Sequence, residues 1–226
     1  MTSTGESGKA ARRDSLADLL GGRRGALDAT APPVAFGLVW LLPGHSIGWA
    51  AAAACAVALV IAGWRVATGG KATAVLGSLA AVAAAALVVL YTGRAEDFFL
   101  IRLLSNVASG LAWAVSVLVR WPLLGVVVGA VLGQKARWRR DPDLVRAYGR
   151  ASWVWVLGQY TLRSAVFALL WWSGSVWWLT VAQVALSWPL IAAVLAASAV
   201  VLHRSLPADH PGIRHPRVEV SATGQA

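Results

Sequence analysis

The sequence predicts an all-α, polytopic membrane helical bundle: about six transmembrane helices plus a short re-entrant or interfacial helix at 122–133. Three observations predict it. Hydrophobic residues make up 58% of the 226-residue chain and charged residues only 13%, whereas soluble domains carry about 25% charged residues. Several apolar runs approach or exceed the roughly 20 residues needed to cross a bilayer. The basic residues also cluster in segments that one topology places on a single side of a membrane.

Residues 1–30 are polar and include Lys9, Arg12, Arg13, Arg23 and Arg24. They hold no apolar h-region, so the segment reads as a partly disordered cytoplasmic tail and not as a secretory signal. Within it, "SLADLL" (15–20) can form a short amphipathic helix on the membrane surface. The membrane domain is expected over 31–204. Its first run, "APPVAFGLVWLLPG" (31–44), is short; Pro32 and Pro33 suit a first helical turn, and Pro43-Gly44 ends it. Further runs follow at 46–64, 72–91, 98–119, 151–172 and 176–202, and the polar, proline-bearing tail 205–226 reads as disordered.

The count turns on 120–133. If this segment crossed, the basic block 134–150 would lie outside, against the positive-inside rule. As a helix, 122–133 reaches only about 18 Å, against roughly 30 Å of hydrocarbon. Entering and returning, or lying at the interface, it leaves six spans with both termini inside and 17 of the 20 basic residues on the cytoplasmic side. The net charge of +10 is then explained by topology, and nucleic acid is not expected as a partner. The bilayer itself and anionic lipid head groups at loop 134–150 are. Six of the tryptophans fall at the outer ends of the spans and five at or near the inner ends, as an aromatic belt requires.

Other function classes find little support. Cys55 stands alone, and His45, His203, His210 and His215 lack metal-ligand spacing, so neither a metal nor a cofactor is expected. No phosphate loop, dinucleotide fingerprint or nucleophile elbow occurs, and the chain is not expected to be an enzyme.

Two groups of residues stand out. "TGRAEDFFLIRLLSN" (92–106) gathers Arg94, Glu96, Asp97, Arg102 and Asn106 at the outer end of the fourth span. Gln159 and Arg163 lie one turn apart on the fifth span, at a similar expected depth. An intramembrane arginine is expensive unless it snorkels or pairs. Glu96 and Asp97 are the nearest acids, so the cluster reads either as a latch between spans four and five or as a polar pocket for a small anion or a proton path. The second group is Gly125, Gly129 and Gly133, whose spacing lines one helix face for close packing or, alternatively, for a re-entrant element along a pathway. Between them, "RRDPDLVRAYGR" reads as a helix start: Asp141 caps, Pro142 takes the first position and Asp143 favours the positive end. Its basic face meets water and lipid phosphate or serves as a docking surface for a cytoplasmic partner.

"TGRAEDFFL", "SVLVRWPLLG" and "WRRDP", with the upstream "GGRRGALDATAPPVAF", resemble an actinobacterial membrane family of unknown function, domain of unknown function 3159, over about residues 20–205. That family is distantly similar to intracellular septation protein A, in which a basic stretch with a Trp-Arg-Arg element precedes the last two spans; "WRRDP" departs from the Trp-Arg-Arg-Leu-Asn form seen there. The resemblance implies a bacterial plasma membrane and an envelope or division-associated role, and it supplies no active-site residues. A small-solute transporter, or the membrane subunit of one, is the alternative; a membrane enzyme is the third class.

Overall fold

The computed structural model describes residues 22–44, 46–70, 72–134, 136–214 and 216–217. The tail before residue 22, with the amphipathic segment at 15–20, lies outside the described residues, as do Lys71, Lys135 and 218–226. Every regular element among the described residues is helical. In order they are α1 (Gly22–Trp40), α2 (Ile47–Ala67), α3 (Ala72–Thr92), a 3₁₀ turn (Ala95–Phe99), α4 (Leu100–Leu118), α5 (Leu123–Val131), a second 3₁₀ turn (Arg137–Arg140), α6 (Pro142–Val154), a π-helical stretch (Trp155–Leu162), α7 (Arg163–Trp172), α8 (Val176–Ala185) and α9 (Trp188–Ser205). Four stretches are long and apolar enough to cross a membrane: Ile47–Ala67, Ala72–Thr92, Ala95–Leu118 and Trp188–Ser205. Their apolar windows are only 11–28% buried within the protein. Tyr91, Trp172, Trp49 and Leu169 are among many large apolar side chains left exposed, a surface that suits lipid and not water.

The chain divides into two compact units, residues up to Ser105 with Ala165–Pro189, and Asn106–Ser164 with residues from Leu190 onward. In the first, α2 turns a stripe of small residues inward, with Ala50, Ala54, Ala58 and Ala62 all buried at four-residue spacing. Lipid offers no hydrophobic drive to hold helices together, so such stripes act by letting backbones approach closely. Gly37 of α1 lies so close to Thr180 of α8 that an added methyl would overlap it. The centre of this unit is aromatic: Phe36 stacks on Phe98 with ring centres 4.1 Å apart and meets the edge of Phe99 at 6.3 Å. In the second unit, Trp138, Leu144, Tyr148 and Ala151 form the core with Leu124, Trp155 and Val194.

Two sequence expectations change. Pro32 and Pro33 lie inside α1, which begins at Gly22, and not in its first turn. The run at 176–202 is broken by a turn at Leu186 and Ser187. The cause is Pro189, whose ring cannot sit against the carbonyl four residues back, and α8 ends at that residue, Ala185. Pro122 acts in the same way, because α4 ends four residues before it, at Leu118. Both breaks carry Trp-Pro-Leu. In the tail, His210, Ile213, Arg214 and Arg217 hydrogen-bond to Gln134 and Asp141 of the basic segment described below.

Candidate functional site

The residues of the expected polar cluster are divided between the two units. In the first, Arg94 Nε and Nη2 each approach Glu96 Oε1 at 2.8 Å. The Arg94 guanidinium also lies over the Trp171 ring, 5.1 Å from its centre. Asp97 is buried at 4% exposure, and its Oδ1 accepts the indole N–H of Trp171 at 2.8 Å. Trp171 thus serves both charges, a role that its position among belt tryptophans did not disclose. Arg102, at the start of α4, is half-buried.

In the second unit, the Asn106 amide donates to the Tyr160 carbonyl at 3.0 Å and to the Ser164 hydroxyl at 2.8 Å. One turn along α4, Gly110 lets Tyr160 approach, since a Cβ there would lie 2.8 Å from the tyrosine Cβ. Asn106 and Gly110 therefore fasten α4 to the π-helical stretch. Gln159 and Arg163 are both buried. Gln159 Oε1 has no hydrogen-bond partner among the described residues. π-helical turns are rare and concentrate at functional positions.

The glycine series is divided too. A Cβ on Gly125 would meet the Trp138 ring at 2.8 Å, so this glycine is needed for packing, and Gly129 is buried beside it. At Gly133 no atom of the described residues lies within 4 Å of a would-be Cβ, and its φ is +66°. It closes α5, with Gln134 N–H bonded to the Gly129 carbonyl at 2.9 Å and Gly133 N–H to the Ala130 carbonyl at 3.2 Å, the 6→1 and 5→2 bonds of a Schellman end.

The most elaborate polar arrangement among the described residues centres on Asp141. Oδ1 accepts the backbone N–H groups of Asp143 and Leu144 at 3.1 and 3.3 Å, which is the cap expected from the sequence. Oδ2 accepts the backbone N–H of Arg217 at 2.7 Å and lies 2.9 Å from His210 Nε2. His210 Nδ1 accepts the Gly212 N–H at 2.9 Å, which leaves Nε2 as the donor toward the aspartate. Burial by itself would raise the Asp141 carboxyl, but hydrogen bonds from Arg217, His210 and Leu144 outweigh it and hold the group below its ordinary range. Gln134 Nε2 clamps the same tail through the carbonyls of Ile213 and Arg214, at 2.8 and 2.9 Å. Underneath, Trp138 meets Tyr148 edge-on at 5.5 Å. Burial, aided by the Asp141 charge, pushes the Tyr148 hydroxyl up to about 12.

Beside this hub opens a cleft of about 660 Å³, walled by Arg120, Arg139, Arg146 and Arg150, with Val117 and Trp153 among its apolar lining. Arg139 stacks its guanidinium 3.7 Å from the centre of the Trp121 ring. Arg146 pairs with Asp143 at 2.8 Å. Arg120 has a φ of +55°, at the αL position of a second Schellman end formed by Trp121 N–H to Ser116 and Arg120 N–H to Val117. A non-glycine residue pays roughly 1–2 kcal/mol there.

These contacts give the quoted motifs a physical content: Trp138 fills the core, Arg139 stacks on Trp121, Asp141 caps and Pro122 opens α5. The model of a family described as Protein of unknown function (DUF3159) matches residues 20–209. The chain belongs to this family. No curated protein and no solved structure matches it. Two of the quoted motifs of this DUF3159 chain, "SVLVRWPLLG" and "WRRDP", contribute to the arginine cleft and the Asp141 hub.

Proposed function

We propose that the chain is a six-span protein of the bacterial plasma membrane with both termini in the cytoplasm, and that it serves the cell envelope or cell division without catalysis. Its basic loop at 134–150 would rest against anionic lipid head groups. The observation that carries this reading is the arginine cleft beside Asp141. Four arginines converge there, and among the described residues Arg146 alone of the four has a carboxylate partner, the pattern of a cytoplasmic, lipid-facing surface. The helical stretch 151–172 and the α8–α9 pair would supply the fifth and sixth crossings beside α1 to α4. Nine-residue α5 reaches only about 14 Å and stays at the interface. The likeness to septation protein A rests on Trp138-Arg139-Arg140 preceding the last two crossings. Depletion in the host bacterium is expected to alter cell width or septum placement; cells of unchanged shape would overturn the envelope role.

A second reading, a small-solute transporter, is favoured by buried Gln159 with its unpartnered oxygen in a π-helical stretch beside buried Arg163. Reconstituted vesicles that accumulate a solute, with the activity lost in Gln159→Leu, would establish it; vesicles that accumulate none under an imposed ion gradient count against it.

A further inference from the structure

We infer that the arginine cleft is a binding site for a phosphate-bearing ligand with at least two negative charges, carried either on a phospholipid head group or on a free phosphorylated solute. The inference rests on the cytoplasmic placement proposed above for its lipid source only; the chemistry of the cleft stands without it.

Three observations carry it. First, the cleft is a concavity of about 660 Å³ with arginines on several sides, contributed by the α4–α5 turn, the second 3₁₀ turn and α6. A merely solvated basic face spreads its charges over a convex surface, whereas these four arginines line one concavity. Second, Arg139 is held in place by its stack on Trp121, leaving the edge of the guanidinium plane to donate hydrogen bonds. A planar fork fixed in this way matches phosphate oxygens two at a time. Third, Arg120 occupies a left-handed position that glycine fills without strain. Strained residues cluster at functional sites, where the surrounding structure sustains their cost. The strain here keeps a charged side chain at the mouth of the cleft.

The charge balance sets the ligand class. Asp143 offsets Arg146, which leaves three positive charges on Arg120, Arg139 and Arg150. A singly charged phosphodiester would leave most of that unbalanced, whereas a phosphomonoester or a diphosphate brings two or more negative charges. Val117 and Trp153 at the cleft wall provide an apolar ledge, which an acyl chain would cover and a free solute would leave bare.

The test uses the purified full chain in neutral detergent, so that it does not depend on membrane orientation. Inorganic pyrophosphate is titrated and followed by calorimetry. Phosphatidic acid, diphosphatidylglycerol and phosphatidylglycerol are presented separately and read by native mass spectrometry. We expect pyrophosphate or one of the two multiply charged lipids to bind, phosphatidylglycerol to bind more weakly, and added salt to weaken all of them. Arg139→Gln and Arg150→Gln should each lose roughly tenfold in affinity, the loss of one charge-assisted contact. Arg120→Gly is the variant that separates function from fold: its melting temperature should rise while its affinity falls. Lipid that displaces pyrophosphate identifies a head-group site, and pyrophosphate binding that lipid does not disturb identifies a soluble ligand. The inference is overturned if no probe binds, or if the three arginine variants bind as the unaltered protein does. Cytoplasmic placement is measured separately by thiol labelling, so failure of one leaves the other standing.

Discussion

Two buried aspartates, Asp97 and Asp141, mark the two charged regions of this chain, and they are held in different ways. Asp141 gathers backbone N–H groups from its own helix start and from Arg217 in the tail, with the His210 ring as a further donor. Asp97 sits in a five-residue 3₁₀ turn and accepts a side-chain N–H from Trp171. Around Asp97, an arginine is matched by a neighbouring glutamate. Around Asp141, four arginines line one cleft. The comparison teaches two things. Backbone donors fix a carboxylate whatever the neighbouring side chains are, whereas a side-chain donor ties it to one residue. Under the proposed topology, the excess of arginines near Asp141 would mark the cytoplasmic side.

The largest effect is expected for Asp141→Ala. Hydrogen bonds to a charged group contribute about 1.5–3 kcal/mol each, and this change removes several and strands the amides of Asp143 and Leu144. Unfolding in detergent should show a loss of about 3 kcal/mol or more. The pH dependence follows from the depressed carboxyl. Its stabilisation is present above the unfolded value near 3.9 and is lost as pH falls through the lower folded value, so the acid limb lies below about pH 4. That limb should flatten in Asp141→Asn.

Trp171→Phe should cost about 1–2 kcal/mol, because it removes the indole donor to Asp97 and leaves a buried acceptor without it. If this variant lost more stability than Asp141→Ala, the contrast between backbone and side-chain anchoring would collapse.

The smallest effect belongs to Tyr148→Phe. The Tyr148 hydroxyl is buried and has no hydrogen-bond partner among the described residues, so its removal should change stability by less than about 0.5 kcal/mol at neutral pH. In the unaltered protein the neutral hydroxyl is favoured, with the folded value raised from 10.0 to about 12. That contribution is complete below the unfolded value and is lost as pH rises through the folded one. The phenylalanine variant should lack this alkaline loss.

Much of the hub was legible in consecutive residues. Asp141-Pro142-Asp143 announces a capped helix because capping is a local rule, and α5 begins after Pro122 and closes at Gly133 for equally local reasons. The partners were not legible. Trp171 lies 74 residues from Asp97, and Gln134 reaches carbonyls 79 and 80 residues away; spacing within a segment carries no information about such distances. The tail's polar, proline-bearing composition gave no sign of the hydrogen bonds that Ile213 and Arg214 accept from Gln134. Gly125 and Gly133 looked alike in sequence, yet one makes room for Trp138 and the other supplies a positive φ. The break after Ala185 was signalled: Trp188-Pro189-Leu190 repeats the Trp121-Pro122-Leu123 that opens α5.

The topology proposed above would put Arg94 outside the membrane and Arg146 in the cytoplasm. Single cysteines at Arg94 and Arg146, whose side chains are 51% and 68% exposed, test it most directly in a background carrying Cys55→Ala. An impermeant maleimide is added to intact cells and, in parallel, to permeabilised ones. The account predicts that Arg94→Cys is labelled in intact cells and that Arg146→Cys is labelled only after permeabilisation. Labelling of Arg146→Cys in intact cells at the rate of Arg94→Cys would contradict it.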